Sequence, residues 1–170
     1  AIIANGPVFS RIETNYYGWD DGDGKYDLLS QLSIAAGDRK TRHDIEIRGE
    51  TSNICTGLVK HDKTQLIESD SDGEWQYLAT YGAQSLAGED DQLGMAVLYN
   101  KSDLIERVDD GQSHIVVLKP DQGKLRYYFL AAWEQEQEGI KNLAKFREYL
   151  DREILKLNKP ISLTLNATSK

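Results

Sequence analysis

The sequence predicts a mainly β protein, an antiparallel β-sandwich carrying one amphipathic C-terminal helix. Three observations predict it. Short apolar segments with period-two alternation recur from Val8 to Trp133. Asp/Gly-rich clusters such as "GWDDGDGKYD" and "VDDGQSH" separate them, which is hairpin chemistry. Only one stretch, from Gly139 to Leu157, changes to the three-and-four spacing of a helix.

Taken in order, "VFSRIETNYY" (8–17) sets Val8, Ser10, Ile12, Thr14 and Tyr16 against Phe9, Arg11, Glu13, Asn15 and Tyr17. "YDLLSQLSI" (26–34) puts Leu28, Leu32 and Ile34 on one side, and "RHDIEIRGE" (42–50) sets Ile45 and Ile47 opposite Arg42, Asp44, Glu46 and Arg48. "NICTGLV", "WQYLATY", "LGMAVLY", "HIVVLK" and "LRYYFLAAW" follow, each short and rich in β-branched or aromatic residues. Eight closely spaced segments of this kind fit a sandwich or barrel. In the helical stretch Ile140, Leu143, Phe146, Leu150 and Ile154 make one apolar face, with Gly139 before it and Pro160 after it. A last strand is expected at "ISLTL" (161–165).

The 170 residues fit one domain that needs no metal or disulfide staple. With 39% hydrophobic and 28% charged residues the chain is globular rather than disordered. The net charge of -8, without any cluster of Lys and Arg, argues against nucleic acid or an anionic membrane as partner. No apolar run approaches the roughly 18 residues of a membrane-spanning helix. The lone Cys55 sits in an apolar run and is expected in the core; it excludes an internal disulfide and a cysteine-built zinc site. The chain begins at Ala1 with no visible signal peptide, which leaves open a removed leader or a longer parent chain.

Two Asp-rich loops invite a calcium reading. Counting from Asp21, however, Lys25 falls where an oxygen ligand is needed and Tyr26 where the glycine is needed, so "DDGDGKYD" is expected to be a hairpin turn, and "SDSDGEW" likewise. No metal and no cofactor is expected. Trp19, Trp75 and Trp133 lie near strand ends; Trp75, Tyr77 and Tyr81 share one parity, as do Tyr127, Phe129 and Trp133. Such rows either stack sugar rings or fill the core. His43 shares parity with Ile45 and Ile47 and is expected to be a satisfied near-core residue, and His114 to cap a turn. His61 ends its strand between Lys60 and Asp62, a base beside a cation, although both can serve one site only where the strand ends or bulges. Serine-hydrolase elbows, zincin helices, P-loops and dinucleotide fingerprints are missing from the sequence. Glu134 and Glu136 could form the paired carboxylates of a glycosidase, if they faced each other.

The ordered series "GPVFSRIETNYYGW", "DGKYDLLSQLSIAAGDRKTRHDIEI", "GLVKHD", "WQYLATYG", "DDQLGMAVLY" and "LRYYFLAAWEQ" resembles a bacterial domain-of-unknown-function family encoded in polysaccharide-utilisation loci, often beside enzymes of pectic or other uronate-rich glycans. The resemblance runs from Gly6 to Leu165 and rests on the order of the motifs. It implies a galactose mutarotase-like supersandwich of which this chain matches only the C-terminal half. Carried over by position, Arg11, Trp19, Arg42, Lys60, His61, Trp75, Tyr81, Tyr128 and Trp133 fall on motif residues. The chain departs from the pattern at Thr41, where the family has Asn, and at Leu130-Ala131-Ala132-Trp133, where it has Gly-Ala-Gly-Trp. The first swap could alter a polar contact, and the second could narrow a groove beside Trp133.

The resulting expectation is a carbohydrate-active protein for uronate-containing oligosaccharides, either a lyase or a mutarotase/epimerase-like enzyme. His61 would be the acid or base, Lys60 or Arg42 would pair the sugar carboxylate, and Arg11, Trp19, Trp75, Tyr81, Tyr128, Trp133 and Glu134 would hold the rings. A non-catalytic glycan-binding module is the alternative, and a structural half-domain the third. The partner would be an oligo- or polysaccharide, with the missing N-terminal half or a second copy as a possible protein partner, in a periplasmic or secreted setting.

Overall fold

The computed structural model describes residues 1–162 and 164. Among the described residues eleven strands and one α-helix follow in order, with a short 3-10 turn at Lys101–Asp103: β1 (Ile2–Asn5), β2 (Phe9–Asp20), β3 (Lys25–Ala35), β4 (Lys40–Arg48), β5 (Ile54–Val59), β6 (Thr64–Glu68), β7 (Trp75–Ala83), β8 (Gln92–Asn100), β9 (Leu104–Asp109), β10 (Ser113–Leu118), β11 (Lys124–Trp133) and α1 (Leu143–Asn158). All pairing is antiparallel. An eight-stranded sheet has the order β1-β2-β3-β4-β11-β8-β7-β6, and a three-stranded sheet has β5-β10-β9. The expected class therefore holds, with three strands (β1, β6 and β9) beyond those read from the sequence.

Alternation decides what each face of the large sheet meets. Ile45, Val97, Tyr99, Leu125 and Tyr127 point one way, into a core shared with Leu58, Val116 and Leu118 of the small sheet. Tyr77, Ala79, Tyr81, Ala96, Leu98, Leu130 and Ala132 point the other way, under Phe146, Leu150 and Ile154 of α1. The helix starts at Leu143 because the Asn142 side chain accepts the Lys145 backbone N–H (2.9 Å), a standard N-cap. Leu130 and Ala132 thus fill the space under the helix, whereas Trp133 has the opposite parity. The departure from the Gly-Ala-Gly-Trp pattern therefore adds core and does not narrow a groove at Trp133.

Two expectations are corrected. Cys55 is exposed, because β5 is an edge strand whose odd residues turn away from the core. Native protein should accordingly take up a thiol reagent at the rate of an open cysteine; labelling that waits for unfolding would restore the buried reading. The terminal strand is not formed at Ile161 and Ser162, which follow Pro160 in irregular backbone, and its Leu163 and Leu165 lie outside the described residues. Among the described residues no helix is long and apolar enough to cross a membrane.

Candidate functional site

The helix covers β7, β8 and the Leu130–Ala132 end of β11, and it reaches Lys40 at the start of β4. Beyond the helix, the same face of β2, of β3, of β4 from Arg42 onward and of β11 up to Tyr128 is not covered by α1. Strand register arranges its polar side chains, the buried Ser33 among them, in two rows. Arg11, Ser33, Arg42 and Tyr128 stand opposite one another across four strands. In the next row stand Glu13, Gln31, Asp44 and Arg126. Neighbouring positions in a row are about 4.8 Å apart, so the two rows form one continuous polar surface.

Asp44 is the hinge of this surface. Its Oδ2 accepts from Arg42 Nε (2.5 Å) and its Oδ1 from Arg126 Nε (2.6 Å). Burial alone would raise its pKa, but the two guanidinium groups outweigh that and hold the carboxyl below its usual range. Among the described residues each arginine spends its Nε on Asp44, which leaves the terminal nitrogens of both forks for an outside acceptor. Both side chains reach solvent, at 35% and 51% exposure. Both line a cleft of about 320 Å³, together with Leu29, Gln31, Glu46 and Lys124. Gln31 is itself oriented, donating to Glu13 Oε2 at 2.8 Å. Arg11 lies over the Phe9 ring, and its buried Nε has no partner among the described residues. At the helix edge Tyr128 meets Trp75 edge-on, with centroids 5.3 Å apart.

Four residues chosen from the sequence, Arg11, Arg42, Tyr128 and Trp75, thus share one face. The others do not join them. Tyr81 is buried under α1, with its ring on Phe146 and its OH donating to the Ile140 carbonyl (3.2 Å). Trp19 is half exposed on the opposite face beside Tyr26, above a second cleft that Cys55 also lines. Trp133 is on that face too, with its indole N–H buried and unpartnered among the described residues. Glu134 accepts the Gln92 backbone N–H (2.7 Å) and Glu136 accepts from Arg39 (2.7 Å), so both carboxylates hold the chain together.

Lys60 and His61 lie in the connection from β5 to β6, away from Arg42. Lys60 Nζ is clamped on both oxygens of Asp109 (2.9 and 2.8 Å), and this bond, with a backbone N–H from Gly111, keeps the Asp109 carboxyl low. His114 Nδ1 also faces Asp109, at 3.7 Å. His61 is exposed, and its carbonyl closes the turn by accepting from Thr64 N and Oγ1. His43 is held between Ser30 Oγ and Tyr127 OH, both 2.7 Å away, and burial pushes its imidazole below the usual range. In the Asp-rich loop Asp20 and Asp21 spend carboxylate oxygens on the backbone N–H groups of Gly22, Asp23 and Gly24, as a turn requires.

Sequence reasoning missed Asp44, Arg126 and Gln31. Arg126 carries a signal, since it has the parity of Tyr128, but nothing local tells that β11 lies beside β4.

Comparison with known proteins returns one family model, a domain of unknown function matched over residues 1–163. The chain belongs to the DUF4861 family. No curated protein and no solved structure matches this DUF4861 domain.

Proposed function

We propose that the DUF4861 domain binds uronate-containing oligosaccharides on the part of its large sheet that α1 leaves uncovered, as a glycan-recognition module. One observation carries the reading: two partly exposed arginines, both anchored through Nε on one carboxylate, with their remaining N–H groups free beside a cleft. A sugar carboxylate accepts a fork of this kind through two parallel charge-assisted bonds, and Asp44 fixes both forks before the ligand arrives. Lys124 adds positive charge at the cleft, and Gln31 offers hydroxyl-compatible polarity. Tyr128 and Trp75 offer aromatic surface for a neighbouring ring. The sequence resemblance to proteins of polysaccharide-utilisation loci with a mutarotase-like fold points to the same ligand class.

The lyase and epimerase readings need a base next to the cations. On this face Asp44 is held ionised by its two arginines, which makes it a poor proton acceptor near neutral pH, Glu13 is bonded to Gln31, and His61 is not there. Among the described residues that leaves Glu46 as the one carboxylate at the cleft on which a base reading could rest. Binding is therefore the favoured reading. It is tested by calorimetry with an oligogalacturonate and with its carboxyl-reduced counterpart. Binding of the acid alone is expected, weakening with salt. Arg42→Ala and Arg126→Ala should each lower affinity about 10- to 100-fold, as loss of a charged hydrogen bond worth about 1.5–3 kcal/mol requires. Lysine at either position should not restore it, because a point charge lacks the fork. Equal binding of the reduced sugar would sink the proposal, and mass spectrometry showing new products would replace binding with catalysis.

A further inference from the structure

The opposite face of β2 and β3 carries no charge at all. Ser10, Ile12, Thr14, Tyr16 and Trp19 on β2 stand beside Ile34, Leu32, Ser30, Leu28 and Tyr26 on β3, whereas Arg11, Glu13, Asp27 and Gln31 point to the polar side. The small sheet does not cover the outer part of this face: Ile12 is 51% exposed, Tyr16 50%, Trp19 52% and Ile34 38%, and Ile2, opposite Ile12 on β1, is 71% exposed. At ordinary side-chain areas these five residues expose on the order of 600 Å², at the upper end for the largest apolar patch of a monomer. A standard interface buries roughly 800 Å² per partner, and this patch supplies most of that.

We infer that this face is a twofold interface between two copies of the chain. The net charge of -8 makes two copies repel over most of their surface, and the uncharged face is where they can meet without burying a charge. The face is also self-complementary. Its aliphatic end carries Ile12 and Ile34, its aromatic end Tyr16 and Trp19, with Thr14 and Ser30 between them. A twofold axis near Thr14 sets the aromatic end of one copy on the aliphatic end of the other, as an isologous contact needs. The patch is continuous with the inter-sheet core through Leu28 and Tyr26, so the dimer extends a layer that the small sheet begins.

The test is sedimentation velocity on the full chain between about 1 and 100 μM, a range that spans weak to stable dimers. The native protein is expected to dimerise. Thr14→Arg places two like charges across the axis, Ile12→Glu buries a charge against the aromatic end of the other copy, and each should raise the dimer dissociation constant at least about 100-fold. Both positions are exposed, so the far-UV circular dichroism should stay native in at least the Thr14→Arg protein. A native chain that remains monomeric throughout overturns the inference, and so does a dimer that survives both substitutions. Oligouronate binding lies on the other face and should be unchanged in either variant.

Discussion

Replacing Phe146 by alanine is expected to cost the fold about 3–5 kcal/mol, the usual range for deleting a fully buried aromatic ring. Phe146 is 0% exposed and is the first large anchor of α1. Its ring lies directly over Gly94 of β8 and against Tyr81, with centroids 5.5 Å apart. The glycine is needed there: a Cβ at position 94 would come within 2.5 Å of the ring. Gly94→Ala alone should therefore destabilise by about 1–3 kcal/mol through overpacking. In a Phe146→Ala background the same substitution should be close to neutral, because the clashing ring is gone. Urea unfolding of the four proteins gives the coupling, which is expected to exceed about 1 kcal/mol. Additive costs would show that the ring does not depend on that glycine. In a domain of this size, 3 kcal/mol corresponds to a melting temperature lowered by roughly 6–12 °C. Most of it comes from α1 losing the sheet, since an isolated 16-residue helix is marginal in water.

How much of this was legible in the sequence depends on the range of the interaction. Alternation and Asp/Gly turns are local, so the class, eight of the strands and the apolar face of the helix were readable, Phe146, Leu150 and Ile154 among them. The missed strands are short or weakly patterned: "IIAN" has four residues, "TQLIE" follows directly on the His61 turn, and the alternation of "LIERVD" is diluted by charges. Parity placed Trp75, Tyr77 and Tyr81 on one side correctly. It could not say that α1, far along the chain at Leu143–Asn158, would return to bury Tyr77 and Tyr81. The site suffers from the same limit. Arg42 and Asp44 belong to β4, while Arg126 and Tyr128 belong to β11, and only nonlocal register sets them side by side. Trp19 was misdirected by a bulge between Tyr16 and Trp19, which returns it to the face of Tyr16 and Tyr26 and away from Arg11. "GLVKHD" ends abruptly in polar residues for structural reasons: Lys60 serves Asp109 and His61 closes a turn.

Lys40→Met is expected to destabilise the domain by about 1.5–3 kcal/mol, because it takes one of two ammonium partners from a buried carboxylate and leaves Lys156 alone on it. Glu153 faces inward from α1 with its side chain 3% exposed, and it accepts from Lys40 Nζ of β4 at 2.8 Å and from Lys156 Nζ at 2.5 Å. Lys40, 11% exposed, is held in turn by Asp38 at 3.0 Å. Burial by itself would raise the Glu153 pKa, but the hydrogen bonds from Lys156 and Lys40 prevail and keep it below the ordinary carboxylate value. For Lys40 burial would lower the pKa, and its bonds to Glu153 and Asp38 raise it instead. The pH signs follow. Glu153 contributes stability above the unfolded carboxylate pKa of about 4.3, and this is lost as pH falls through its lower folded value. Lys40 contributes below about 10.4, and its share is lost as pH rises through the higher folded value. The double variant Lys40→Met/Glu153→Leu removes both charges together, so it should recover most of the loss and flatten the acid limb of the stability curve. If thermal melts instead show Lys40→Met and the double variant equally unstable, the damage comes from lost packing of the lysine stem, and the ion pair does not fasten the helix to β4.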